Sequence, residues 1–257
     1  AQPGDVFRSQ GGATLFGMLD WFWKGIGDGV RPITLGVYGT GRPVIRSPVS
    51  REAVLYAGLG GLHIEGIDFR GDCPSPGTSG VKLGSTEAPC KNFKLTDVDV
   101  SGYSLGGIEA AGRVAHPVGD VGIESSRLHH NANGTHIGCV RGLTMIRVDA
   151  FENDLIGGDP NLHVGGYGIA VYDSESVLLE HCRGNRNGWK TTVGGHGGII
   201  LQNCDDGRVR YCRAVNNGDP TTNGDAQGII FYGCRDCLGE HNYVAGNLNG
   251  GLSLHQD

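Results

Sequence analysis

Lys82, Glu109 and His136 share a spacing: each stands two places after a glycine (Gly80, Gly107, Gly134) that opens a short apolar run, and successive members are 27 residues apart. On neighbouring strands about 5 Å apart, such a set can hold a substrate carboxylate and move a proton. The same residues also suit an ordinary surface ladder of paired charges, so both readings stand. A second set comprises Tyr167, Tyr172, Asp173, His196 and His255. Removing a proton alpha to a uronate carboxylate, the step shared by lyases and C5-epimerases, needs a His, Lys or Tyr base and a group that neutralises the developing enolate. Both sets contain the base; an arginine or metal for the enolate is less obvious. A hydrolase needs two opposed carboxylates, and Glu109 and Asp173 are the only acids well placed for that, roughly 10 Å or more apart.

The elements that must position these residues repeat. Gly80, Gly107, Gly134, Gly168, Gly198, Gly228 and Gly251 each precede alternating apolar residues, at intervals of 27, 27, 34, 30, 30 and 23. A second short run follows in each unit, as in Val177-Leu178-Leu179-Glu180 and Val209-Arg210, and then an Asn/Gly turn such as Asn185-Arg186-Asn187-Gly188 or Asn216-Asn217-Gly218. No segment carries a long stripe of period 3.6, so helical repeats fit poorly and each unit predicts one turn of short strands in a solenoid. Cysteines test this: Cys139, Cys204 and Cys234, with Cys90, fall at one place in the repeat, and Cys182 and Cys212 at another, as buried stacked thiols would.

Composition narrows the function. Of 257 residues 47 are glycine, with only 10 prolines and no G-X-Y register, which excludes collagen. A net charge of −6 argues against a nucleic-acid partner, since a polyanion would need a local basic patch. No stretch is long and apolar enough for a membrane span, so no membrane insertion is expected. Asp149, Asp154 and Asp159 are the acids that leave calcium open as a cofactor, but they lack the alternating spacing of a dedicated loop, and no metal site is assigned.

Within the first strand of each unit the first and third positions after the glycine are apolar and face inward: Val81/Leu83, Ile169/Val171, Ile199/Leu201, Ile229/Phe231 and Leu252/Leu254. The second and fourth then face out, placing Tyr172, Gln202, Tyr232 and His255 in one column, but also two apolar residues, Ile200 and Ile230, which overlying loops must cover. Insertions at 156–167, 189–196 and 219–227 are expected to wall a cleft over that column. They bring Tyr167, Trp189, Lys190 and His196, a mixture suited to the apolar faces and hydroxyl rims of sugars. The expected assignment is His196 as an exposed-loop base, Asp173 as its orienter or carboxylate partner, and Lys190 for a substrate acid group. Lys82, Glu109 and His136 form the distal end of the cleft or an independent ladder.

The units from Gly168 to Gly188 and from Gly198 to Gly218 resemble the repeats of right-handed parallel β-helix proteins of the pectin-lyase-like superfamily, and the stretches Pro3-Gly4-Asp5-Val6-Phe7 and Pro32 to Ile45 are similar to the opening coils of secreted members acting on polysaccharides. The resemblance implies an all-β, right-handed parallel β-helix of eight to nine coils, with irregular opening coils over 1–50 and regular coils over 51–257. It also implies a secreted or periplasmic location and a polysaccharide partner, with a polysaccharide lyase ahead of a glycoside hydrolase or C5-epimerase. The alternative is a non-catalytic glycan-binding, adhesin or structural module. Gly166-Tyr167-Gly168 is similar to a strand start of alginate C5-epimerases, but Ala170 and Tyr172 stand where that family has Asp and His. Family members carry further coils or a cap beyond the point where this chain stops, so a truncated C-terminal coil, an end-capping partner or a homo-oligomer is expected there.

Overall fold

Runs of five or six residues with alternate apolar side chains cannot bury their inner faces alone, so they stack. The computed structural model describes the chain outside residues 22–29, 50, 57–59, 73–76, 85–89, 155–164, 190–195, 220–225 and 256–257. It is a parallel β-helix of the right-handed type, built from three parallel sheets of nine strands each, with no helix among the described residues. One coil shows the pattern: Glu175–Glu180 lies in sheet A, Arg183–Asn185 in sheet B and His196–Gln202 in sheet C. Strands near the start of the chain already join the stacks: Val6–Gln10 pairs with Ile33–Tyr38 in sheet A and Thr14–Phe16 with Val44–Arg46 in sheet B.

The register bears out the inward columns. Ile137, Val171, Leu201 and Phe231 follow one another across sheet C, as do Ile169, Ile199 and Ile229. All are buried in one continuous core. Leu252 and Leu254 continue these columns but are 56% and 73% exposed, because no described rung lies beyond them. Burying each interior Leu or Ile contributes about 1.5–3 kcal/mol, so the core, rather than strand propensity, holds the stack.

Corners need a different device. Where sheet B hands over to sheet C, Asn131, Asn153, Asn187, Asn217 and Asn247 form a ladder: each Oδ1 accepts a backbone N–H from the preceding rung at 3.0–3.1 Å, while each Nδ2 donates to a carbonyl such as that of Ala150. Buried turn groups are thereby satisfied without water. The remaining corners place non-glycine residues in the left-handed region, among them His181, Tyr211 and His241 between sheets A and B.

Cys182 and Cys212 share a column, as expected. Cys204 and Cys234 share the other, which Ser174, Val140, Val118 and Cys90 extend. Cys139 is the exception. It sits one residue earlier, at a left-handed corner equivalent to Asp173 and Asn203, so its side chain does not join the stack.

Candidate functional site on the outer face of sheet C

Sheet C brings the first set of residues together. Glu109 lies opposite Lys82 on one side and His136 on the other. Lys82 Nζ is 3.0 Å from Glu109 Oε1, and Ser79 Oγ donates to Oε2 at 2.8 Å. Glu109 is 5% exposed, and that burial is compatible with a charge only because both oxygens are engaged. The ladder is therefore a recessed carboxylate paired with a partly exposed lysine on the outer face of the sheet.

His136 extends the pair. Burial pushes its pKa below the ordinary 6.5, the Glu109 carboxylate opposes that shift and the Lys82 ammonium adds to it. Nδ1 is buried and has no hydrogen-bond partner among the described residues. Gly106 leaves the space beside it open: a Cβ there would come within 3.3 Å of His136 Cβ. One rung on, the Tyr172 ring is centred 5.3 Å from the imidazole, and burial followed by the nearby Tyr167 phenol pushes the Tyr172 hydroxyl well above its ordinary pKa of 10. At neutral pH this places an unprotonated imidazole beside a protonated phenol. Opposed protonation states on adjacent groups are what acid and base roles require.

Further along the same face the column Tyr172, Gln202, Tyr232, His255 forms in the expected register, with Tyr232 and His255 rings 5.6 Å apart. Beside it, Ile200 and Ile230 are 4% and 6% exposed and form a second apolar cluster with Tyr167 and Ala170, against which Tyr172 packs. The outward isoleucines are thus covered, which preserves the register.

Two members of the second set, His196 and Asp173, and the loop residue Trp189 lie elsewhere than expected. His196 is not on an exposed loop: it opens the strand His196–Gln202, is fully buried, and packs its ring where a Cβ on Gly188 would come within 2.3 Å. Asp173 is exposed at a left-handed corner and accepts from Asn203 Nδ2 at 3.1 Å, so it does not orient His196. Trp189 is 41% exposed and donates its indole N–H to the Asn216 carbonyl at 2.8 Å, beside the sheet B face. Lys190 lies outside the described residues. Among those described, no three His, Cys, Asp or Glu side chains are arranged to hold a metal, and no helix is long and apolar enough to cross a membrane. Of the calcium candidates, Asp149 lies on sheet B, Asp154 is buried at the asparagine turn, and Asp159 is outside the described residues.

Sequence reasoning missed the outer face of sheet B. There Arg127, Asp149, Arg183 and Arg213 occupy one column on consecutive rungs, with Phe151, Asn185 and Val215 in the column alongside. Arg183 and Arg213 each follow a cysteine of the aligned pair, a signal that was available in the repeat.

Comparison with known proteins fits this geometry. Residues 79–257 match the family model described as "Right handed beta helix region". No curated protein matches. Among solved structures, the native GH136 lacto-N-biosidase from Eubacterium ramulus is similar over 99% of this chain and 63% of its own, at 14% identity and a TM-score of 0.55; its selenomethionine derivative gives 0.51. This chain therefore spans less than two thirds of that enzyme's length. An arginine-to-alanine mutant of the PL6 family alginate lyase AlyGC is also matched, over 99% of this chain and 38% of its own, at 15% identity and a TM-score of 0.32.

Proposed function

The chain belongs to the right-handed β-helix family, and from that premise we propose that it is a carbohydrate-active enzyme of extracellular or periplasmic glycans which cleaves an acidic polysaccharide by β-elimination on the outer face of sheet C. The observation that carries the reading is the pairing of His136, kept neutral by burial, with Tyr172, kept protonated by burial. His136 takes the proton from C5 of a uronate residue. The electron pair left behind forms the C4–C5 double bond as the C4–O bond breaks, and the Tyr172 hydroxyl returns a proton to the departing oxygen. Lys82, about a third exposed, offers positive charge to the uronate carboxylate while Glu109 holds it in place.

Elimination suits the site better than hydrolysis because the two oxygens of Glu109 face an ammonium and a serine hydroxyl rather than a second carboxylate. His196 is the less suitable candidate because its ring is fully buried and closed off from a substrate. A panel of uronate polysaccharides, followed by the ultraviolet absorbance of the unsaturated product, tests the proposal with His136→Ala, Tyr172→Phe and His196→Ala. His136→Ala should remove turnover and leave the melting temperature within a few degrees. Turnover that survives His136→Ala sinks the assignment, and wild-type silence across the panel with measurable binding makes the chain a binding module.

A further inference from the structure

The outer face of sheet B carries a groove of about 570 Å³ lined by Arg127, Asp149, Phe151, Arg183, Arg186 and Arg213, among others. Four of these are cationic and one anionic, in a chain with 21 basic and 27 acidic residues. Two of the arginines are already engaged: Arg127 lies 3.1 Å from Asp99 and over the Phe151 ring, and Arg186 lies 2.7 Å from Glu152. Arg183 and Arg213 have no carboxylate within 4 Å among the described residues, and Arg213 lies over the Tyr243 ring at 5.0 Å. They stand on adjacent rungs, where like charges repel. Asp149, between Arg127 and Arg183 in the column, offsets part of this charge; burial raises its pKa, against the lowering effects of Arg183, Arg127 and Arg186.

A second hollow of about 720 Å³ continues past the same two arginines to the corner with sheet A, where His181, Tyr211 and His241 stack at 5.3 and 4.9 Å. Tyr211 is 48% exposed, and Phe151 lies on the other flank of the strip. A cationic row with aromatic rings on both sides suits a ligand with anionic groups on one edge and apolar faces between them. The rung spacing, about 4.8 Å, is close to the advance of one pyranose ring along an extended chain.

We propose that Arg183 and Arg213, flanked by Phe151 and Tyr211, form a secondary binding site for an acidic glycan, separate from the sheet C face. The anionic groups are carboxylates or sulfates, and the chain runs along the stack from Arg127 toward Tyr243. The site needs no turnover, so its test stands apart from that of the catalytic reading.

The test uses the His136→Ala protein, so that no probe is consumed, and titrates hexagalacturonate, a chondroitin sulfate hexasaccharide and neutral cellohexaose by calorimetry and by amide shift mapping. The acidic probes should perturb residues 183–185 and 213–215 and weaken as salt rises, cellohexaose should do neither, and the two acidic probes separate carboxylate from sulfate preference. Arg183→Ala/Arg213→Ala should lose at least tenfold in affinity at this site, with a melting temperature within a few degrees as the check on folding. Unchanged affinity in that variant, or an absence of shifts at these residues, overturns the site. Tighter binding of oligothymidylate than of either acidic glycan overturns the assignment to glycan.

Discussion

Sheets B and C share one chain and one rung spacing, yet their outer faces are finished in opposite ways. On sheet C the ionisable residues are drawn in: Glu109 is nearly buried, His136 and Tyr172 are neutral by burial, and Ile200 and Ile230 are covered. The C-terminal half of sheet B leaves its arginines in solvent, with Arg127 and Arg186 more than half exposed even though they are paired. Burial tunes protonation and so suits chemistry, whereas exposed charge attracts a ligand without altering its bonds. In a solenoid each outward column varies independently of the core, which is how both finishes coexist on nine rungs.

The largest test of this contrast places the same residue on both faces. Ile200→Asp buries a carboxylate in an apolar cluster and is expected to cost at least about 3 kcal/mol. Arg213→Asp, on the open face, is expected to stay within about 0.5 kcal/mol. Urea unfolding of the two variants checks this, and equal costs would mean that the faces are equally open. A smaller effect is expected from Glu109→Ala, which leaves Lys82 without its partner. Because Lys82 is about a third exposed, water recovers part of the loss, and about 2 kcal/mol is expected together with lost turnover.

Much of this was legible in the repeat. Glycine spacing and alternating apolar residues located sheet C, its inward columns and the contact of Lys82, Glu109 and His136, because a strand's side-chain period of two leaves little freedom once one face is buried. Burial of His196 was not legible. Its position next to an insertion read as exposed, whereas the strand extends back to include it, with Gly188 making room for the ring. Trp189 was misplaced for a related reason: one hydrogen bond to the Asn216 carbonyl turns it toward sheet B, and turn residues carry no periodicity from which to read a direction. The arginine column escaped because sheet B strands are three residues long, too short to show a pattern without the register of their neighbours.

Acid titration separates the faces further. Asp99, on the N-terminal half of sheet B, is held down to about 2: burial would raise it, but the hydrogen bond with His129 and the charge of Arg70 outweigh that. Its folded pKa lies below the unfolded 3.8, so its stabilisation, on the order of 2 kcal/mol, is present above 3.8 and lost as pH falls toward 2. His136 acts at a higher window. Its pKa is lowered from 6.5, so the unfolded chain binds the proton first and stability declines as pH falls below 6.5. His136→Ala should flatten the upper part of the acid unfolding profile, and Asp99→Asn the lower part. An unchanged upper part in His136→Ala would show the imidazole to be solvated.

The smallest expected effect distinguishes the two halves of the arginine face. Arg70 Nη1 lies 2.6 Å from Asp99, whose carboxylate is only 9% exposed, so Arg70→Ala leaves a recessed charge short of one partner. Arg127 and His129 remain, at 3.1 and 2.9 Å, and limit the cost to about 1 kcal/mol. Arg183→Ala removes a cation that no carboxylate among the described residues approaches within 4 Å, that repels Arg213 on the next rung and that attracts Asp149 on the rung before. The two nearly offset, so its expected effect is within about 0.5 kcal/mol, largest at low ionic strength, where screening is weakest. Thermal unfolding of both variants at two salt concentrations measures the difference. If Arg183→Ala destabilises as much as Arg70→Ala, the C-terminal arginines are structural, and the charge surplus on that face is not free for a ligand.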